Sequence, residues 1–151
     1  MTPRHTARGV VVRDDQLLLM ERWRSGLHYF SVPGGGIEPG EQPEETVERE
    51  ILEETGVRVA VERLVFEMHD GGRVHRFYLC KYIDGEPSLQ GDSPEAELYS
   101  QDNQFKPGWQ PIRSLETLPF TYWAPIQKSL IEGLRNGFVG EVTIVTAPEK
   151  R

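Results

Sequence analysis

"GGGIEPGEQPEETVEREILEETGV", residues 34–57, holds eight glutamates and a single basic residue, Arg49. Its second half reads as a helix from about Pro43 to Thr55. Pro43 suits a first helical turn, where its missing N–H costs no hydrogen bond. Gly56 suits the left-handed residue just past the end. On that helix Val47 and Ile51 make an apolar stripe, with Leu52 and Thr55 beside it. Glu50, Glu53 and Glu54 fall at i, i+3 and i+4 and share one face, where like charges repel by roughly 0.2–0.5 kcal/mol per pair. Arg49, the one cation at hand, is expected to point off the centre of the trio.

The helix dipole sharpens the conflict. Carboxylates stabilise a helix N-terminus and destabilise its C-terminus. Glu44 and Glu45 are therefore well placed, whereas Glu53 and Glu54 lie in the last turn. A solvated acidic face would carry lysines there. A hard divalent cation such as Mg²⁺, which prefers carboxylate oxygens and water, resolves the conflict. The preceding "PGGG", read as a strand end running into a loop, lets backbone approach a ligand closely. Strand, glycine loop and carboxylate helix together point to a metal site.

The remaining chain reads as strands around two helices. "TARGVVVR" (6–13) and "QLLLMER" (16–22) form a hairpin across the turn at Asp14 and Asp15. The apolar run 17–20 suggests burial on both faces. "YFSVP" (29–33) is a short strand. "VRVAVERLVFEMH" (57–69) and "RVHRFYLCKYI" (73–83) form a second hairpin around "DGG". Residues 84–106 read as irregular, "GWQPI" (108–112) as a short strand, and "FVGEVTIVT" (138–146) as a last strand. "TYWAPIQKSLIEGLRNG" (121–137) is a second helix, with Ile126, Leu130 and Leu134 on one face. With no repeat and no linker, residues 1–151 form one α+β domain.

Composition narrows the function. The formal net charge of −7 argues against a nucleic-acid polymer as partner, which needs a basic surface. It leaves room for an anionic small molecule, because a bound metal reverses the local sign. The single cysteine, Cys80, makes no internal disulfide and is expected to be a buried small hydrophobe. "MTPRHTARG" has no apolar signal segment, and no run approaches the ~20 residues of a membrane span. A cytoplasmic protein without membrane partners is expected. "PEKR" at the end reads as a frayed tail.

The spacing Gly35, Glu41, Arg49-Glu50, Glu53-Glu54, Gly56 resembles the box of the Nudix hydrolases, MutT-like enzymes, at every fixed position. At average residue frequencies of about 7%, seven such identities coincide by chance on the order of 10⁻⁸ per start position. The resemblance implies the Nudix fold, an α/β/α sandwich around a mixed sheet. It implies hydrolysis of a nucleoside diphosphate linked to another group, with Mg²⁺ or Mn²⁺, and a small nucleotide as substrate. Glu50, Glu53 and Glu54 would be metal ligands, one of them steering the attacking water, with a carbonyl of Gly34 or Gly35 completing the shell. Arg49 joins them in the catalytic set, bracing loop against helix through Glu41. A further acid after the box falls to Glu95 or Glu97.

Arg22, at the end of its strand, stands where relatives often contact phosphate. Tyr29 and Phe30, with Trp23, His28, Trp109 and Trp123, are the candidates for a substrate wall. The markers of ADP-ribose and diadenosine polyphosphate subgroups are not in place, Tyr78 lying a few residues late. The short chain favours a nucleoside triphosphate or a related small nucleotide. His69 and His75 read as surface residues beside a turn. Relatives include homodimers, but no dimer seam is visible. The alternative reading is a non-catalytic Nudix-like sensor of nucleotides. Such modules typically lose box glutamates, and here all three are present.

Overall fold

The sheet divides along one strand. The computed structural model describes residues 4–88 and 103–148. In it β1 (Thr6–Arg13) pairs in parallel with β6 (Arg73–Asp84) along one edge. Its other edge is shared. Thr6, Ala7 and Arg8 pair with β4 (Gly34–Gly36), and Val12 and Arg13 pair with β2 (Gln16–Arg24). Beyond that fork β2 pairs with β3 (Leu27–Ser31) and, along its far edge, with β7 (Asn103–Pro111). β5 (Arg58–Asp70) pairs with β6, and β8 (Thr143–Thr146) adds in parallel to β5. The mixed sheet thus runs β3-β2-β1-β6-β5-β8, with β4 and β7 off that path.

Strand alternation sends successive side chains to opposite faces. Ala7, Val11 and Leu18 meet Val47 and Ile51 of α1 (Pro43–Thr55) in one buried cluster. Val10, Leu17 and Leu19 meet Ile126 and Leu130 of α2 (Ala124–Asn136) in the other. The run 17–20 is buried on both faces, as its composition suggests. This is the α+β, helix–sheet–helix sandwich that the sequence predicts. Gly9 is required where β1 passes under α1, because a Cβ there would strike Ile51 Cδ1.

Helix α1 has the bounds its end signals predict. Gln42 N–H donates to Glu45 Oε1 at 3.0 Å, and Gly56, at φ 80°, donates its N–H to Leu52 O at 2.9 Å. Leu52 is not beside the buried stripe but 46% exposed. A short 3₁₀ turn, Thr121–Trp123, leads into α2.

Other boundaries differ from the reading by sequence. Gly34–Gly36 is a strand, not a loop, because β1 offers it a free edge. β2 continues past Arg22 to Arg24, supported on both edges. β7 spans Asn103–Pro111 rather than 108–112. Pro107 is tolerated because β7 is an edge strand, where no second neighbour needs its N–H. The last strand contracts to Thr143–Thr146. Glu95, Glu97 and the final Glu149-Lys150-Arg151 lie outside the described residues.

Candidate active site

The glutamate face of α1 is organised by Arg49. Its guanidinium donates from Nε to Glu41 Oε2 at 2.7 Å and from Nη2 to Glu41 Oε1 at 3.0 Å. Nη1 donates to Glu50 Oε1 at 3.1 Å and to Glu53 Oε2 at 3.3 Å. Arg49 therefore sits among the carboxylates rather than off their centre. A long side chain on a helix turns back toward the N-terminus, over the preceding turn.

Glu41 also accepts from Thr46 Oγ1 at 2.6 Å and Glu38 N–H at 3.1 Å. The Arg49 bonds, helped by those from Thr46 and Glu38, hold its carboxyl down to about 2 despite partial burial. The same pairing with Glu41 raises the Arg49 guanidinium above its ordinary range. The loop before α1 is in this way tied to the helix that carries the trio.

The glycine strand lies against this face. A Cβ on Gly35 would come 2.7 and 2.9 Å from the two Glu50 carboxylate oxygens. Gly34, at φ 151°, faces β1 so closely that a Cβ would strike Ala7 O. Only glycine lets this backbone press against Glu50 on one side and β1 on the other. Glu54 is 4% exposed, whereas the Glu53 side chain is 40% exposed.

These residues fit a hard divalent cation. All donors are oxygens, and the backbone of Gly35 lies beside Glu50. Among the described residues no three acidic, imidazole or thiol side chains already stand close enough together to hold a metal ion on their own. Mg²⁺ needs no such set, since it is held by one or two carboxylates and keeps several waters.

Residues of β1, β2, β3, β5 and β6 and of the turn before α2 line an open cavity of about 340 Å³. Arg22 and Tyr29, cross-strand partners on β2 and β3, both line it, as does Trp123. Phe30, one residue on, is 4% exposed within the α2-side core, so alternation turns it away from the cavity. Trp23 is outside it, stacked on His28 with ring centroids 5.1 Å apart. Trp109 lies on the α1 side against Tyr82.

Sequence reasoning missed Arg8, which links trio and cavity. Its Nη1 donates to Val32 O at 3.0 Å and its Nε to Thr6 Oγ1 at 3.3 Å. The guanidinium lies 4.2 Å from the Trp123 ring centroid. Burial lowers its pKa to about 10; Arg22 and Arg73 add to the shift, and Glu54 and Glu50 oppose it.

His75 is not at the surface but 3% exposed. Its Nδ1 lies 2.6 Å from Thr6 Oγ1, and its ring meets Trp123 edge-on. Burial, with repulsion from Arg8 and Arg73, lowers its pKa to about 4, so the ring is neutral at pH 7. For Arg8 the available signal was an arginine inside the apolar strand "TARGVVVR". His69 is half-exposed and bonds Glu67. Cys80 is buried as expected, and burial pushes its thiol up to about 12.

Comparison with known proteins agrees with this architecture. The NUDIX domain model matches residues 3–132, and the chain belongs to the Nudix family. It is similar to an ADP-ribose pyrophosphatase of Methanocaldococcus jannaschii, 34% identical over 102 residues, covering 63% of this chain and 60% of that protein. It is also similar to a MutT-like protein of Streptomyces ambofaciens, 38% identical over 96 residues, covering 62% of each. The chain thus spans about three fifths of the length of these relatives. A solved structure from work on MutT of Aliivibrio salmonicida and Vibrio cholerae shares the fold. Its TM-score is 0.67 at 22% identity, covering 85% of this chain and 97% of that one. No helix among the described residues is long and apolar enough to cross a membrane.

Proposed function

We propose that the protein is a Mg²⁺- or Mn²⁺-dependent pyrophosphohydrolase. It cleaves the diphosphate link of a nucleoside diphosphate joined to another group, with a nucleoside triphosphate or a related small nucleotide as substrate. It acts in the cytoplasm, on no nucleic-acid polymer. The observation that carries this reading is the Arg49 guanidinium bonded at once to Glu41, Glu50 and Glu53. A carboxylate cluster arranged around one cation, beside an open cavity, is suited to phosphate chemistry.

Glu50, Glu53 and Glu54 would hold the metal, with the backbone of Gly34 or Gly35 beside them. A bound divalent ion neutralises phosphate charge and lowers the pKa of a coordinated water. The chain's own groups do the rest. Glu41 and Arg49 keep the carboxylates oriented, as groups behind metal ligands generally do. Glu53, the most open of the trio, is the one best placed to orient an incoming water. Arg22 and Arg8 donate to phosphate oxygens from the cavity side, where guanidinium geometry suits phosphate. Water attack on one phosphorus of the link releases two phosphorylated products.

The test is a turnover screen with Mg²⁺ on wild type and Glu54→Gln. The panel holds nucleoside triphosphates, ADP-ribose, dinucleoside polyphosphates and nucleotide sugars. Hydrolysis of one class by wild type, reduced about a hundredfold or more in the variant, supports the proposal. No turnover, with Mg²⁺ and a nucleotide still raising the melting temperature, would favour the sensor alternative instead.

A further inference from the structure

The cavity carries more positive charge than a single diphosphate link calls for. Arg22 and Arg24 on β2, Arg8 on β1 and Arg73 on β6 all line it, against one carboxylate, Asp70 on β5. Four arginines and one aspartate leave three formal positive charges, with His75 neutral. This stands in a chain of net charge −7. Strand alternation is what gathers them, since the four arginines come from three strands of one sheet.

One further observation bears on this charge. Arg22 Nε is buried and has no hydrogen-bond partner among the described residues. A buried guanidinium donor without an acceptor is costly, and the Arg22 guanidinium lies over the Phe105 ring, 5.3 Å from its centroid.

Trp123 and Tyr29 are poorly disposed to stack a base. The Arg8 guanidinium covers a face of Trp123 at 4.2 Å, and the His75 ring meets it as well. Tyr29 is turned edge-on against Tyr122, interplanar angle 88°. Apart from the exposed Tyr122, the cavity offers arginine forks.

We infer that this cavity binds a phosphoryl group of the substrate additional to the diphosphate link that is cut. The inference rests on the pyrophosphohydrolase reading for the word substrate, but not for the binding itself. It selects substrates with a longer phosphate chain, or with a phosphoryl group on the sugar, over those ending in an uncharged sugar such as ADP-ribose.

The first test uses tripolyphosphate as probe, titrated calorimetrically in EDTA, into wild type and into Arg24→Gln/Arg73→Gln. Both side chains are exposed, so the double variant is expected to fold, which its melting temperature checks. Saturable binding weakened tenfold or more in the variant is expected. No saturable binding, or equal binding by both proteins, overturns the inference. Turnover in Mg²⁺ then compares a nucleoside triphosphate, a nucleoside diphosphate with an added sugar phosphate, and ADP-ribose. The specificity ratio, kcat/KM for a phosphate-rich substrate over that for ADP-ribose, should exceed ten and fall about tenfold in the variant. Which phosphate-rich substrate leads distinguishes chain from sugar phosphate. A ratio below one, or one unchanged by the variant, contradicts the inference. Absence of all turnover with tripolyphosphate binding intact would sink the hydrolase reading while leaving the anion site standing.

Discussion

Arg49 grips Glu41 at two points, Nε to Oε2 at 2.7 Å and Nη2 to Oε1 at 3.0 Å, across a separation of eight residues. The bond ties the segment before α1 to the middle of the helix. Because Nη1 of the same guanidinium reaches Glu50 and Glu53, the grip also sets where two of the three box carboxylates stand.

Arg49→Lys tests that positioning. A lysine ammonium is a point charge and cannot serve both Glu41 oxygens while reaching Glu50 and Glu53. Loss of a group that orients metal ligands costs about 10–100-fold in metal affinity or activity. The expected outcome is a drop of that size in kcat and in Mn²⁺ affinity, with little change in KM. A variant with unaltered Mn²⁺ affinity would show that Arg49 merely pins the loop.

Gly35→Ala tests the contact between β4 and α1. The new methyl would stand 2.7 Å from Glu50 Oε1, so strand or carboxylate must give way. Overpacking of this kind costs about 1–3 kcal/mol. The melting temperature should fall by several degrees and activity by tenfold or more. Wild-type turnover in this variant would mean that Glu50 does not need its present position.

Two groups give stability successive windows of acid sensitivity. His75, with its pKa lowered to about 4 from an ordinary 6.5, binds fewer protons folded than unfolded between those values. Its contribution is full above pH 6.5 and is lost as pH falls toward 4, at no more than about 1.4 kcal/mol per pH unit. Glu41, with its pKa lowered to about 2 from 4.5, contributes fully above pH 4.5 and loses that contribution only as pH falls toward 2. Urea unfolding at pH 7 and pH 4.5 should show a smaller loss for His75→Gln than for wild type. Glu41→Gln should show no such change across that interval. Equal losses for wild type and His75→Gln would refute the assignment.

What the sequence disclosed depended on whether the signal was local. The ends of α1 were legible because Pro43 and Gly56 act on their own turns. The trio was legible because helical periodicity puts Glu50, Glu53 and Glu54 on one face whatever surrounds them. Strand β4 was not, since three glycines carry no side-chain pattern and pair only because β1 leaves an edge open. Strand β7 was obscured by Pro107 and Gly108, which break strands in general but are tolerated on an edge. The orientation of Arg49 was misread because spacing gives the position of Cβ and not the path of a long side chain. The basic cavity was hidden most deeply. Arg8, Arg22, Arg24 and Arg73 are scattered through 66 positions of the chain and meet only because β2 and β6 pair with β1 on its two sides.

The most direct measurement is a Mn²⁺ titration followed by electron paramagnetic resonance, on wild type, Glu53→Gln and Glu54→Gln, without substrate. The free-ion signal reports binding and needs no turnover. The account predicts saturable binding by wild type, weakened about tenfold or more in each variant while the melting temperature without metal stays within a few degrees. Binding unaffected by either substitution would place the metal elsewhere, and a wild type that leaves the free-ion signal unchanged would contradict the carboxylate face of α1 as a metal centre.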